Sequence, residues 1–161
     1  MTKEQKLEGI KRFLALIPHC QLLGMAVEKV EKDQLTFSLE GDSRFVGNST
    51  KNLIHGGLLT VLMDTACGSA ALLALSEPEV CPTIDLRLDH YQAAIAGKKV
   101  YCRAWTTHLA RQIVFTEGVI WQDDPSKPIA KGTGTFMRLG VERTPPGFVE
   151  HLFGQERGGQ A

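Results

Sequence analysis

Residues 55 to 75 read HGGLLTVLMDTACGSAALLAL, an apolar run with a single charged side chain, Asp64. A carboxylate set among Leu, Val, Met and Ala gives up hydration worth several kcal/mol unless a partner or a reaction compensates it. Just ahead stand His55, Gly56 and Gly57. Lacking Cβ atoms, the two glycines leave backbone N–H groups unobstructed at the start of a helix, where their partial positive charge suits a carbonyl oxygen gaining negative charge. A base or nucleophile combined with oxyanion donors points to acyl chemistry.

Blander readings compete at each position. Asp64 could cap a backbone group or pair with Arg87, as lone acids in structural networks often do. Gly56-Gly57 could be a tight turn, although one glycine would serve for that. A Cys67 nucleophile activated by His55 fails on distance: twelve residues of helix span ~18 Å. His19, His90, His108 and His151 form no HxH or HExxH pattern, and neither GxGxxG nor a P-loop occurs, so no metal and no cofactor is expected.

The 161 residues suffice for one domain with a real core. Lys plus Arg and Asp plus Glu are 18 each, a net charge of +0, which offers nothing to nucleic acid or to an anionic membrane. Cys20, Cys67, Cys81 and Cys102 lack CxxC spacing and read as reduced thiols; with no signal-peptide run in MTKEQKLEGIKRFL, a cytoplasmic protein is expected. Segment 58–75 approaches membrane-spanning length, but Thr60, Asp64, Thr65, Gly68 and Ser69 interrupt it, which suits a helix wrapped in protein.

These groups need a scaffold. Thr2 and Gln5 resemble a capping box, and Leu7, Ile10, Phe13, Leu14 and Ile17 keep helical spacing until Pro18, giving an amphipathic helix over 1–18. Segments 25–30 and 34–40 read as a hairpin turned at Lys32-Asp33, followed by the irregular stretch SRFVGNSTKN. After the apolar helix, Ile84, Leu86 and Leu88 alternate with polar residues, and 99–108, 112–122 and 129–139 carry strand signatures. Helix, two strands, long helix, four strands, without alternating βα units, predicts an α+β fold with an antiparallel sheet against the helix. The domain is placed at 19–140 and a partly disordered tail at 141–161.

The chain from about residue 20 to 140 resembles the hotdog-fold acyl-CoA thioesterases of the PaaI/YigI type. The resemblance rests on VGNSTKNLIHGG at 46–57, Asp64 within MDTACG, and TIDLRLDHY at 83–91. It implies a long central helix wrapped by the sheet, Asp64 as nucleophile or general base, and the Gly57 N–H as the group that polarises the thioester carbonyl. It further implies an Asn upstream of HGG that positions water or thioester. Asn48 matches the YigI-like spacing, with Asn52 a nearer competitor. His55 would brace the loop near the carbonyl, and Thr83 matches the Ser or Thr that begins the following strand. Where many relatives carry Arg-Pro-Gly, this chain has AAIAGKK.

The expected reaction is hydrolysis of an acyl-CoA, medium- to long-chain by the resemblance, with Gly56 beside Gly57 at the carbonyl. Arg111 and Lys98-Lys99 are candidates for the CoA phosphates, against the reading that they are solvated turn charges. A non-catalytic acyl-CoA-binding module and an enoyl-thioester hydratase or dehydratase remain open. One helix on a six-stranded sheet leaves an edge strand to cover, so a homodimer is expected, with a dimer of dimers compatible. Gly57 and Asp64 lie about 10.5 Å apart along their helix, too far for one thioester, so the two are expected to meet across a two-fold axis.

Overall fold

A computed structural model describes residues 3–31 and 34–154. Thr2, the expected turn residues Lys32-Asp33 and the tail 155–161 lie outside the described residues.

The N-terminal periodicity forms α1 (Lys3–Leu16), which buries Ile10 and Leu14. Proline forces the residue before it out of helical geometry and lacks an N–H to continue the ladder; accordingly Ile17 is extended, with φ −101° and ψ 102°. The same proline suits a first helical position, and α2 (Pro18–Leu22) starts on it. The hairpin is β1 (Ala26–Val30) with β2 (Gln34–Leu39). Part of the stretch expected to be irregular is a small separate sheet, β3 (Val46–Asn48) with β4 (Leu53–Ile54). It is tied down by Ile54 N–H to the Ala94 carbonyl and Ala96 N–H to the Asn52 carbonyl, contacts between distant segments that no local pattern announces.

The long helix α3 (Gly56–Ala74) crosses the concave face of a six-stranded antiparallel sheet. Beside β1 and β2 the sheet contains β5 (Thr83–His90), β6 (Val100–Leu109), β7 (Ile113–Trp121) and β8 (Ala130–Met137), in the order β1-β2-β6-β7-β8-β5. A helix apolar on nearly every side needs cover on nearly every side, and the sheet curls around this one. Leu59, Leu62, Met63, Ala66 and Cys67 are sealed against Phe37, Cys102, Ala104, Val114 and Ile120. Gly118 sits opposite Gly132 in the β7–β8 register, and a Cβ at Gly118 would overlap the Met63 sulfur. The paired glycines form the trough that admits the helix. Truncating Leu59 or Leu62 to Ala would leave a cavity costing about 2–5 kcal/mol.

Two local expectations need correction. Alternation puts Ile84 with Leu86 and Leu88 on one apolar face, but a register shift between Thr83 and Asp85 leaves Ile84 50% exposed. The region after 140 is more structured than a tail: α4 (Phe148–Phe153) buries Val149, Leu152 and Phe153 and packs on α1. Its six residues are too short for a periodic signal. What holds the approach to it is Glu79, buried and bonded to Arg138 at 2.7 Å and to the Gly140 N–H.

Candidate functional site

His55 is the N-cap of α3, with φ −64° and ψ 130°. Its Nδ1 accepts the Gly57 N–H at 3.0 Å, which requires the tautomer with the proton on Nε2. The expectation of unobstructed N–H groups therefore fails at Gly57: the side chain two residues back satisfies one of the orphan donors of the first turn. The glycine is what allows the ring so close, since a Cβ there would lie 2.9 Å from Nδ1. Gly56 faces His90, whose Cε1 would be 3.4 Å from an added Cβ.

The segment ahead of β4 lies alongside this turn. The His55 N–H donates to the Phe45 carbonyl at 2.8 Å, and Gly47 sits close against His55. Asn48 is exposed on the same small sheet, its Oδ1 accepting the Lys51 N–H at 3.1 Å. Its competitor Asn52 takes a left-handed conformation, φ 54°, and turns the chain between β3 and β4. Arg44, Phe45, Val46, His55 and Gly57 line a cavity of about 380 Å³.

Two turns along α3, Asp64 is half-buried, lining a second cavity of about 430 Å³ instead of being sealed in the core. Its Oδ1 accepts a hydrogen bond from the Thr83 hydroxyl at 3.0 Å. The pairing with Arg87 is overturned, because that guanidinium turns to Asp89 at 3.1 Å. Among the described residues no cation pairs with Asp64. The rest of the lining is mostly apolar, including Phe13, Ile17, Val61, Leu86 and Phe136. A carboxylate oriented by a hydroxyl at the side of an apolar hollow can take a proton from water or attack an electrophilic carbon.

The structure thus groups the expected residues into two sets. Thr83 joins Asp64; His55, Gly56 and Gly57 stand together beside the segment that carries Asn48. The two cavities share His19 and Val61, but within one chain the helix rise separates Gly57 from Asp64 by about 10.5 Å. Arg111 is exposed in the β6–β7 turn and lines neither cavity. Lys98 and Lys99 are occupied by acids, Lys98 with Asp123 at 2.5 Å and Lys99 with Glu28 and Glu40 at 3.3 Å.

Residues not expected at the site complete the lining: Phe13 from α1, Ile17 from the extended link after it, His19 and Cys20 from α2, and Arg44. Phe13 and Ile17 had one available signal, as one flank of an apolar stripe whose centre already accounts for Ile10. The cysteines do not act as thiolates here. Burial pushes Cys67 up to about 11, with the Asp64 charge adding to it, and burial also raises Cys20. Among the described residues no three His, Cys, Asp or Glu side chains converge as metal ligands would.

Comparison with known proteins shows the family. The family model described as thioesterase superfamily matches residues 51–129, the stretch from just before the HGG turn through β7. The medium/long-chain acyl-CoA thioesterase YigI of Escherichia coli K12 is 29% identical over 104 residues, covering 56% of this chain and 67% of YigI. A Pseudomonas aeruginosa protein of known crystal structure is 41% identical with a TM-score of 0.76, over 83% of this chain and 99% of that one. The E. coli PaaI protein from the phenylacetic acid degradation operon shares the fold at 17% identity, with a TM-score of 0.76 over 87% of this chain and 97% of its own. With one relative matched along nearly its full length and the family model seated on the stretch that carries Asp64, this chain belongs to the thioesterase superfamily: it is a PaaI/YigI-like thioester hydrolase of the hotdog fold.

Proposed function

We propose that the protein hydrolyses medium- to long-chain acyl-CoA to the free acid and CoA, in the cytoplasm and as a homodimer. The observation that carries this reading is the Asp64 carboxylate, held by Thr83 beside an apolar cavity of about 430 Å³, a size suited to a small ligand. The chain length follows that of YigI, a medium/long-chain acyl-CoA thioesterase. The thioester carbonyl accepts the Gly57 N–H, a kind of donor worth about 3–4 kcal/mol in such transition states. Asp64 either removes a proton from the attacking water or attacks the carbonyl carbon itself, and Asn48 positions the water or thioester. Because thiolate is a good leaving group, no strong general acid is required.

The two groups of residues come from different chains. Gly57 and Asp64 are too far apart on one helix to reach the same thioester, whereas a two-fold axis brings Gly57 of one chain to Asp64 of the other. The edge strand β5 supports such pairing: it is eight residues long, has β8 on one side only, and carries the half-exposed Ile84. His55 must swing away from Gly57 when substrate arrives. That engaged donor is the one observation favouring the second reading, a module that binds acyl-CoA without cleaving it.

The test is release of free CoA thiol, followed with a thiol-reactive dye across an acyl-CoA series. It is run on the wild type, on Gly57→Pro, on Asp64→Ala and on purified mixed dimers of the two variants. Each variant alone is expected to be inactive, and the mixed dimer, with one intact site, to recover about half the activity. No release by the wild type would leave the binding module; dead mixed dimers of folded variants would place both residues in one chain.

A further inference from the structure

The cavity beside Asp64 has two walls of different origin. One belongs to the segment that matches the superfamily or lies close after it: the α3 face through Val61, Asp64 and Gly68, with Phe136 at the back. The other is supplied by α1, α2 and the extended Ile17 between them, from residues 13–20, outside the matched stretch of 51–129. Chemistry and cover are therefore carried by different parts of the chain.

The first wall has its depth set at Gly68, one turn beyond Asp64 and about 6 Å further along the helix. A Cβ there would lie 3.3 Å from the Phe136 ring, so the missing side chain opens space that a methyl group would begin to fill. The second wall is the wide apolar stripe of α1 divided between two tasks. Ile10 and Leu14 are buried and hold the helix in place, while Phe13 on α1 and Ile17 in the extended link just past it, both partly buried, face the cavity. The helix is pinned from behind by α4: a Cβ at Gly9 would overlap the Phe153 ring. A wall so anchored stays in position when a side chain on its cavity face is shortened.

We infer that α1 and the extended link after it set the length of acyl chain that the Asp64 site accepts, with Phe13 and Ile17 as the specificity-determining residues and Gly68 fixing the depth opposite them. An acyl group whose carbonyl sits at Asp64 runs along the groove between α1 and α3 toward Phe136 and stops where Phe13 and Ile17 close it. The inference rests on the thioesterase reading for its substrate; the shape of the cavity and the anchoring of α1 do not depend on it.

The experiment measures kcat/KM for wild type, Phe13→Ala, Ile17→Ala and Gly68→Ala over saturated acyl-CoAs from butanoyl to octadecanoyl. Calorimetric binding of the matching free fatty acids is measured in parallel. Each additional buried methylene is worth about fourfold, so Phe13→Ala is expected to raise the ratio of long- to medium-chain kcat/KM about tenfold and Ile17→Ala to raise it less. Gly68→Ala is expected to lower it about fourfold. Phe13→Leu replaces Phe13→Ala if the latter fails to fold. If the wild type hydrolyses acyl-CoA and all the ratios stay within about twofold, less than one methylene is worth, the inference falls and the thioesterase reading stands. If the wild type hydrolyses none, fatty-acid binding decides: a length preference shifted by the Phe13 variant upholds the α1 wall without the reaction, and an unshifted one overturns it.

Discussion

At its first turn α3 is self-sufficient, with His55 satisfying the Gly57 N–H two residues away, whereas Asp64, two turns later, takes its partner from Thr83, nineteen residues along the chain at the start of β5. The first arrangement forms wherever the HGG turn forms. The second exists only when β5 has docked, and its apolar surroundings only when α1 and α2 lie over the groove. One helix therefore presents a local, self-capped donor and a tertiary, cavity-facing carboxylate. In its resting form the local half is closed by its own cap, and the tertiary half is the one left open to a ligand.

The contrast is broken most severely at Asp64. Asp64→Asn keeps the shape and the hydrogen bond from Thr83 but removes the base, and kcat is expected to fall about 10²-fold or more. The protein should stay folded, with an unchanged or higher melting temperature, because a half-buried charge is gone. Near-wild-type hydrolysis would remove Asp64 from the chemistry.

A smaller effect is expected from the partner. Thr83→Val leaves the β-branched shape of the edge strand and deletes a hydrogen bond to a charged group, worth about 1.5 kcal/mol, so kcat should drop about tenfold with KM little changed. Thr83→Ser should recover most of it. Equal losses in the Val and Ser variants would mean that the methyl group matters and the hydroxyl does not.

The mildest test falls on the local half. His55→Ala removes an N-cap acceptor, which is expected to cost about 1 kcal/mol and lower the melting temperature by about 2–4 °C, while His55→Asn, which keeps an acceptor, should restore it. Calorimetric melting of the three proteins measures this. An unchanged melting temperature in His55→Ala would show that the first turn does not need its cap.

Legibility in the sequence followed the same division. Period-3.6 and period-2 patterns located α1, α3 and the six main strands to within a few residues, because each pattern is a local consequence of burying one face. The HGG turn and Asp64 stood out for similarly local reasons. The small β3–β4 sheet and α4 were missed, being too short to show a period and held by contacts with residues far along the chain. The side chain of Arg87, offered as a partner for Asp64, turned to Asp89 two positions away. Lys98 and Lys99, offered to phosphate, were taken by Asp123, Glu28 and Glu40. Which ion pairs form depends on which surfaces end up adjacent, and no spacing rule contains that information.

By itself the sequence determined that this chain builds one apolar helix, entered through His-Gly-Gly and carrying a single acid, with an antiparallel sheet around it. Hydrophobic periodicity and glycine's missing Cβ act over a few residues and can be read directly. Only the tertiary structure decided that His55 closes the Gly57 donor, that Thr83 and not Arg87 holds Asp64, and that α1 and α2 wall the cavity beside it. Those outcomes depend on side chains from distant segments competing for the same few ångströms, and packing settles that competition only when the whole chain has folded.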